Sequence, residues 1–177
     1  MLSFLYGKEK LATPVAKTEI LRSFVGGTLS ILFLCLLGQW TGYVYLMAPF
    51  GATCVILYAV AQSPLAQPRN VIFGHVLSAF IGLLLLKLFG VSIFSIALSV
   101  GSAIAFMQLC RCVHPPAGAN PLVILLTAQH VQYDWSFLLF PVLFGAVGLI
   151  LIASVVNNIG ATQRWPSYGL ALLSRKK

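Results

Sequence analysis

Pro49-Phe-Gly-Ala-Thr-Cys-Val-Ile-Leu-Tyr-Ala-Val-Ala-Gln62 and Pro116-Ala-Gly-Ala-Asn-Pro-Leu-Val-Ile-Leu-Leu-Thr-Ala-Gln129 align without a gap, 67 residues apart. Pro, Gly, two Ala and Gln coincide. Both stretches sit inside long apolar sequence. Gly/Pro-interrupted apolar segments in matching halves are the sequence mark of a transporter's binding site. Chance sharing of small residues between apolar segments is the competing reading.

The 177 residues are 59% hydrophobic and 8% charged, with three acidic side chains. A water-soluble domain carries about 25% charged residues. The composition therefore points to a bilayer as solvent. Six crossing elements follow, at about 23–40, 46–62, 70–89, 91–109, 117–131 and 136–158. A helix needs about 20 residues to span about 30 Å of hydrocarbon. The two elements that begin at Pro49 and Pro116 are too short for that as plain helix, which leaves broken crossings or re-entrant loops. The expected architecture is an all-α transmembrane bundle of two inverted repeats, about 23–89 and 91–158. A basic segment (1–22) precedes the 23–160 membrane domain, and a basic tail (161–177) follows it.

The net charge of +8 suggests nucleic acid only until its placement is read. With six crossings, ten of the eleven Lys and Arg residues fall on one side, and Lys87 alone on the other. That is the positive-inside bias, and it puts both termini in the cytoplasm. Residues 1–22 lack the apolar core and cleavage site of a secretory signal. They read as a basic surface helix, and the expected location is a bacterial inner membrane. Trp40, Tyr43, Tyr45, Tyr133 and Trp135 gather at one interface, Trp165 and Tyr168 at the other. Asp134 reads as a solvated turn. Cys110-Arg-Cys112 has no zinc spacing and no second cysteine pair. No metal, cofactor, catalytic residue or nucleic-acid partner is expected. The expected partners are a small inorganic anion, the lipid bilayer and further copies of the chain.

Pro-x-Gly-Ala has a physical consequence at membrane depth. Pro lacks an N–H and suits a first helical turn. Gly permits close approach of backbone to a ligand. An extended strand would enter, and a short helix would start near the midplane with unpaired, partly positive N–H groups. Three crossings separate the copies, so they enter from opposite sides and aim both positive ends at one spot. That spot favours an anion. The candidate binding residues are Pro49, Phe50, Gly51, Ala52 and Thr53, with Pro115, Pro116, Ala117, Gly118, Ala119 and Asn120. Arg111 and His114 precede the second break as candidate donors. For Arg111 the competing reading is a topology anchor, and for His114 a partner for backbone groups. Arg69 and His75 are candidate pathway residues, against a topology charge and a core histidine bonded to a carbonyl. Asn70 reads as an N-cap for the third span. Gly74, Ser78 and Gly82 share one face of that span, and Ser95, Ser99 and Ala103 share one face of the next. Small residues at this spacing let helices pack closely.

His114-Pro115-Pro116, continued as Ala-Gly-Ala-Asn-Pro-Leu, resembles the signature of the HPP family of integral membrane proteins. Ala48-Pro-Phe-Gly-Ala, Ser63-Pro-Leu-Ala-Gln-Pro-Arg-Asn70 and Gly74-His75 also resemble that family's pattern, and the likeness covers about residues 20–160. The family is usually described as having about four spans, which would leave the two short elements broken or re-entrant. Its cyanobacterial and chloroplast members are associated with nitrite transport, so the resemblance implies small-anion transport. A channel for a neutral or weak-acid solute is the rival within the same class. A membrane-embedded subunit without transport is another. An enzyme built on His114 and Cys112 would lack an acid to orient the base.

Overall fold

The computed structural model describes residues 14–161 and 163–170. Among them the chain is all helix and connection, without strand pairing. The helices are α1 (Lys17–Thr41), α2 (Ala48–Ala59), α3 (Pro68–Phe89), α4 (Ile93–Leu109), α5 (Asn120–Thr127) and α6 (Phe144–Val156). A turn at Trp135–Leu138 and a kinked stretch at Leu139–Leu143 extend α6 backward. The kink falls at Phe140, whose backbone is extended (φ −121°, ψ 110°), just before Pro141. Proline is the usual cause of such a break.

Three stretches are long and apolar enough to cross a membrane as they stand: 17–41, 68–89 and 135–156. Their lipid-facing surfaces are apolar. On α1 only Gly26, Ser30 and Leu34 are buried, while Ile20, Leu21, Phe24, Leu29, Leu32 and Leu36 are exposed. A soluble protein would not leave so long an apolar face bare.

The two short elements are built alike. α1 stops at Gly42, whose left-handed backbone (φ 78°) and N–H to Gly38 O close the helix. Residues 43–47 are not helical, and Met47 is extended where α2 begins, with Pro49 in its first turn. In the second half, α4 ends at Leu109 and the chain turns through Arg111 (φ 53°). Residues 112–114 run in non-helically, His114 is extended, and a 3-10 turn over Pro115–Ala119 feeds α5. So the expected extended entry and proline start are present in both copies. The helices are shorter than expected: twelve residues for α2 and eight for α5. The first span also begins earlier than expected, at Lys17 rather than 23.

Irregular backbone buried in a membrane protein must find hydrogen bonds inside the protein. Here side chains supply them. Asn157 donates to Leu57 O, Ser23 to Tyr58 O, and Gln67 to Ala61 O and Ser63 O. These close the C-terminal end of α2, whose carbonyls lack helical partners. Arg69 donates to Cys110 O at 2.9 Å, to Arg111 O at 3.2 Å and to Leu170 O at 3.0 Å. Asn70 donates to Val113 O at 2.8 Å. Asn70 therefore braces the second entry strand. It is no N-cap, because α3 already begins at Pro68.

The helix pairings interlock the halves. α1 packs on α2 and α6, and α4 packs on α5 and α3. The small faces do the packing expected of them. A Cβ on Gly74 would lie 2.8 Å from His114 Cβ and 3.0 Å from Cys112 O. A Cβ on Gly82 would lie 2.9 Å from Pro121 Cα. Ser95, Ser99 and Ala103 are fully buried.

Ser167 and Tyr168 dock on the 63–70 connection, donating to Gln67 Oε1 and, through the Tyr168 hydroxyl, to Pro64 O and Asn70 Oδ1. Trp165 is buried in the core, not spread at an interface as its position in the sequence suggests. The basic residues at 8, 10 and 175–177 and the expected surface helix lie largely outside the described residues.

Candidate functional site

Four elements bring polar side chains to one enclosed place. α2 supplies Thr53, α3 supplies His75 and Ser78, the second entry strand supplies His114, and α5 supplies Asn120. Thr53, His75, Ser78 and His114 are fully buried, and Asn120 is 1% exposed. Thr53 Oγ1 lies 2.8 Å from His75 Nε2 and 2.9 Å from His114 Nε2. Asn120 Nδ2 lies 3.0 Å from His75 Nδ1 and donates to Ser78 Oγ at 2.9 Å and to His75 O at 3.1 Å. His114 Nδ1 meets Leu65 O at 2.8 Å. The two imidazoles tilt against each other at 5.1 Å between centroids. In an apolar surrounding each such bond matters, since a buried polar group left alone costs about 1–3 kcal/mol.

Thr53 and Asn120 occupy matching positions in the aligned copies. They engage opposite nitrogens of the same His75 ring. One turn before Thr53 on α2, the Phe50 ring packs on His75 at 4.8 Å. Its other side fills the space beside Gly145 of α6, where an added Cβ would lie 2.5 Å from the ring. On the far side of Thr53, Tyr58 fills the space beside Gly26 and pairs with the Ser30 hydroxyl at 2.6 Å.

Two cavities open at the two ends of α2. One, of about 400 Å³, is lined by Glu19, Arg22, Tyr58, Gln62, Asn157 and Gln163, with Glu19 and Arg22 ion-paired. It lies on the face that carries Arg69 and Arg111. The other, of about 480 Å³, is lined by Tyr43, Met47, Val123, Thr127, Tyr133 and Phe140, among others. It lies on the face of Lys87, whose amine stands over Trp135 and reaches Tyr133 O. Asp134 is exposed there, and bonds from the Ser136 hydroxyl and N–H hold its carboxyl below the usual range, as suits a solvated turn. The cluster sits between the cavities. Val123 is about one helical turn past Asn120, and Tyr58 about a turn and a half past Thr53.

The structure sorts the sequence candidates. It gathers Thr53, His75, His114 and Asn120, with Phe50 against them. Pro49, Pro116 and Ala117 are buried beside them as shape, and Pro115 is exposed. Arg111 does not converge on the cluster. Its side chain is exposed, because the left-handed turn that reverses the chain points it away from the bundle, and its carbonyl is held by Arg69. Arg69, the other candidate pathway cation, donates to backbone carbonyls and stacks on Phe73, outside the cluster. Gly51 and Gly118 meet no protein atom within 4 Å of an added Cβ, so packing does not demand glycine there. Ala52 is exposed and Ala119 half-buried. Ser78 was missed as a polar partner, although its place one turn after His75 is the available signal. No group of three His, Cys, Asp or Glu among the described residues is arranged to hold a metal.

The sequence model of the HPP transmembrane region matches residues 12–166. A curated transmembrane protein of Dictyostelium discoideum is 30% identical over 170 residues, covering 92% of this chain and 55% of the relative. A second transmembrane protein of the same organism is 37% identical over 127 residues, covering 70% of this chain and 45% of the relative. The chain thus spans about half the length of the curated relatives it matches. No solved structure matches. With a family match that runs from before α1 to the docked tail, the chain belongs to the HPP family of transmembrane proteins.

Proposed function

We propose that the chain carries a small monovalent anion across a membrane, nitrite being the substrate that the family resemblance suggests. The route runs along α2, from one cavity to the other, through the Thr53–His75–His114–Asn120 cluster. One observation carries this reading: repeat-matched residues grip opposite sides of one buried histidine, midway between cavities on opposite faces. Intramembrane polar groups are costly and mark pathways when they cluster. α2 and α5 both begin within about two turns of the cluster, so their partly positive ends favour oxygen lone pairs of an entering substrate nearby. Phe50 and Tyr58 form the two barriers. Their seats on glycine leave no room to slip past, so passage requires one ring to move at a time.

Six crossings fit this route. Residues 43–47 can contribute up to about 16 Å of non-helical chain, and α2 about 18 Å of helix. Together they can exceed the roughly 30 Å hydrocarbon core. The basic face is then the cytoplasmic one, by the positive-inside bias, and the membrane is the bacterial inner membrane read from the sequence. The two halves are read as inverted repeats related across the cluster.

The test is uptake by purified protein in vesicles, comparing nitrite, nitrate, formate and chloride side by side. Saturable uptake of at least one is expected. Rates equal to protein-free vesicles for all four would overturn transport.

A further inference from the structure

The hydrogen bonds of the cluster have a direction. His75 O can only accept, so the Asn120 atom 3.1 Å from it is the amide nitrogen. Ser78 Oγ donates to the same carbonyl at 3.1 Å and therefore accepts from Asn120. The two amide hydrogens of Asn120 thus face three acceptors and one of them is shared, with the lone pair of His75 Nδ1 as the third acceptor, which places the His75 proton on Nε2, facing Thr53. His114 Nδ1 must donate to Leu65 O, which leaves its Nε2 to accept from the Thr53 hydroxyl. That hydroxyl is shared with Pro49 O at 2.9 Å. This arrangement is met with both imidazoles neutral, the Thr53 hydroxyl and one Asn120 hydrogen each being shared between acceptors. One position is left over: Asn120 Oδ1 is buried and has no partner. It is an acceptor, and it needs a donor.

We infer that the substrate engages this cluster as its conjugate acid, a small weak oxyacid donating its O–H to Asn120 Oδ1. This rests on the transport reading above. A bare anion would bring lone pairs to a lone pair and find the donors of His75, His114 and Asn120 already committed. The anion takes a proton from water in the entry cavity, crosses the cluster as the neutral acid, and returns the proton to water in the exit cavity. One proton and one anion move together, and no side chain changes charge. The ionisable groups on the packed elements are His75, His114, Cys54, Cys112 and Tyr58. The cations Arg69 and Arg111 lie at the cytoplasmic face and Lys87 at the opposite one. Oxyanions of weak acids pass, and anions of strong acids do not.

The experiment is initial-rate uptake by the whole chain in vesicles, corrected for protein-free vesicles, with a potassium diffusion potential imposed or absent. Nitrite and formate are compared with nitrate and chloride at fixed anion concentration while the external pH is lowered. Nitrite and formate uptake is expected to rise about tenfold per pH unit, as the acid concentration does, and to ignore the potential. Nitrate and chloride are expected to stay at background. Nitrite uptake that is flat with pH and driven by the potential, or nitrate carried as fast as nitrite, would overturn the inference and leave transport standing. No uptake of any of the four would overturn both. Asn120→Ala, where it purifies as a monodisperse protein, should lose the pH-dependent component. Its persistence there would move the docking point away from Asn120 and overturn the assignment.

Discussion

The first entering element and the second share a plan and differ in what they carry. Residues 43–59 are mostly apolar, and they place one hydroxyl, Thr53, in the cluster. Residues 112–127 place His114 and Asn120 there; Asn70 from α3 holds their entry at Val113 O, and Arg69 holds the turn before it. The first helix is longer and touches both cavities. The second is shorter, starts through a 3-10 turn, and touches one. Under the transport reading proposed above, the contrast is a division of labour: the first copy would provide the route and its barriers, and the second most of the binding chemistry.

The strongest way to break that division is to crowd the second element from α3. Gly74→Val would drive methyl groups into His114 and the Cys112 carbonyl, neither of which is a flexible tip. A loss of about 1–3 kcal/mol or more is expected, read as a lower melting temperature in detergent and poor recovery of monodisperse protein. Gly51→Val and Gly118→Val meet open space and should purify normally.

Next in size is the hydroxyl that joins the two copies. Thr53→Val keeps the shape but strips the His75 and His114 nitrogens of their shared partner. About 1–3 kcal/mol of stability should be lost, with most of the uptake, and Thr53→Ser should restore both. Arg69→Gln comes third. It removes donors to three carbonyls at the turn and the tail. Limited proteolysis should then cut near residues 110–113 and 165–170 sooner than in the wild type.

The smallest effect is expected at Arg111. Its exposed side chain predicts that Arg111→Gln changes stability by less than about 0.5 kcal/mol and leaves uptake near wild type. The sequence leaves two readings open there, an anion donor just before a broken helix and a topology anchor.

Arg111 shows where sequence reading ends. Proline starts, small helix faces and the aligned copies are local patterns, so the helices and both entry points were legible. Thr53, His114 and Asn120 were legible for the same reason, as residues at the breaks. The direction of Arg111 depends on a left-handed backbone that no residue type announces; Gly would have, as at Gly42. Arg69 and Asn70 find their partners more than 40 residues away, across a turn whose position the sequence does not mark. Trp165 reads as an interface aromatic until the tail is seen to fold back. Ser78 reads as a packing residue, because a hydroxyl on a small-residue stripe is ambiguous until its partner across the helix pair is known.

The most direct test of the account compares initial uptake rates of Thr53→Val, Thr53→Ser and wild type at matched amounts of monodisperse protein in vesicles. The serine variant is expected to transport near the wild-type rate and the valine variant near background. A valine variant that transports like wild type would contradict the claim that the buried cluster is where the substrate passes.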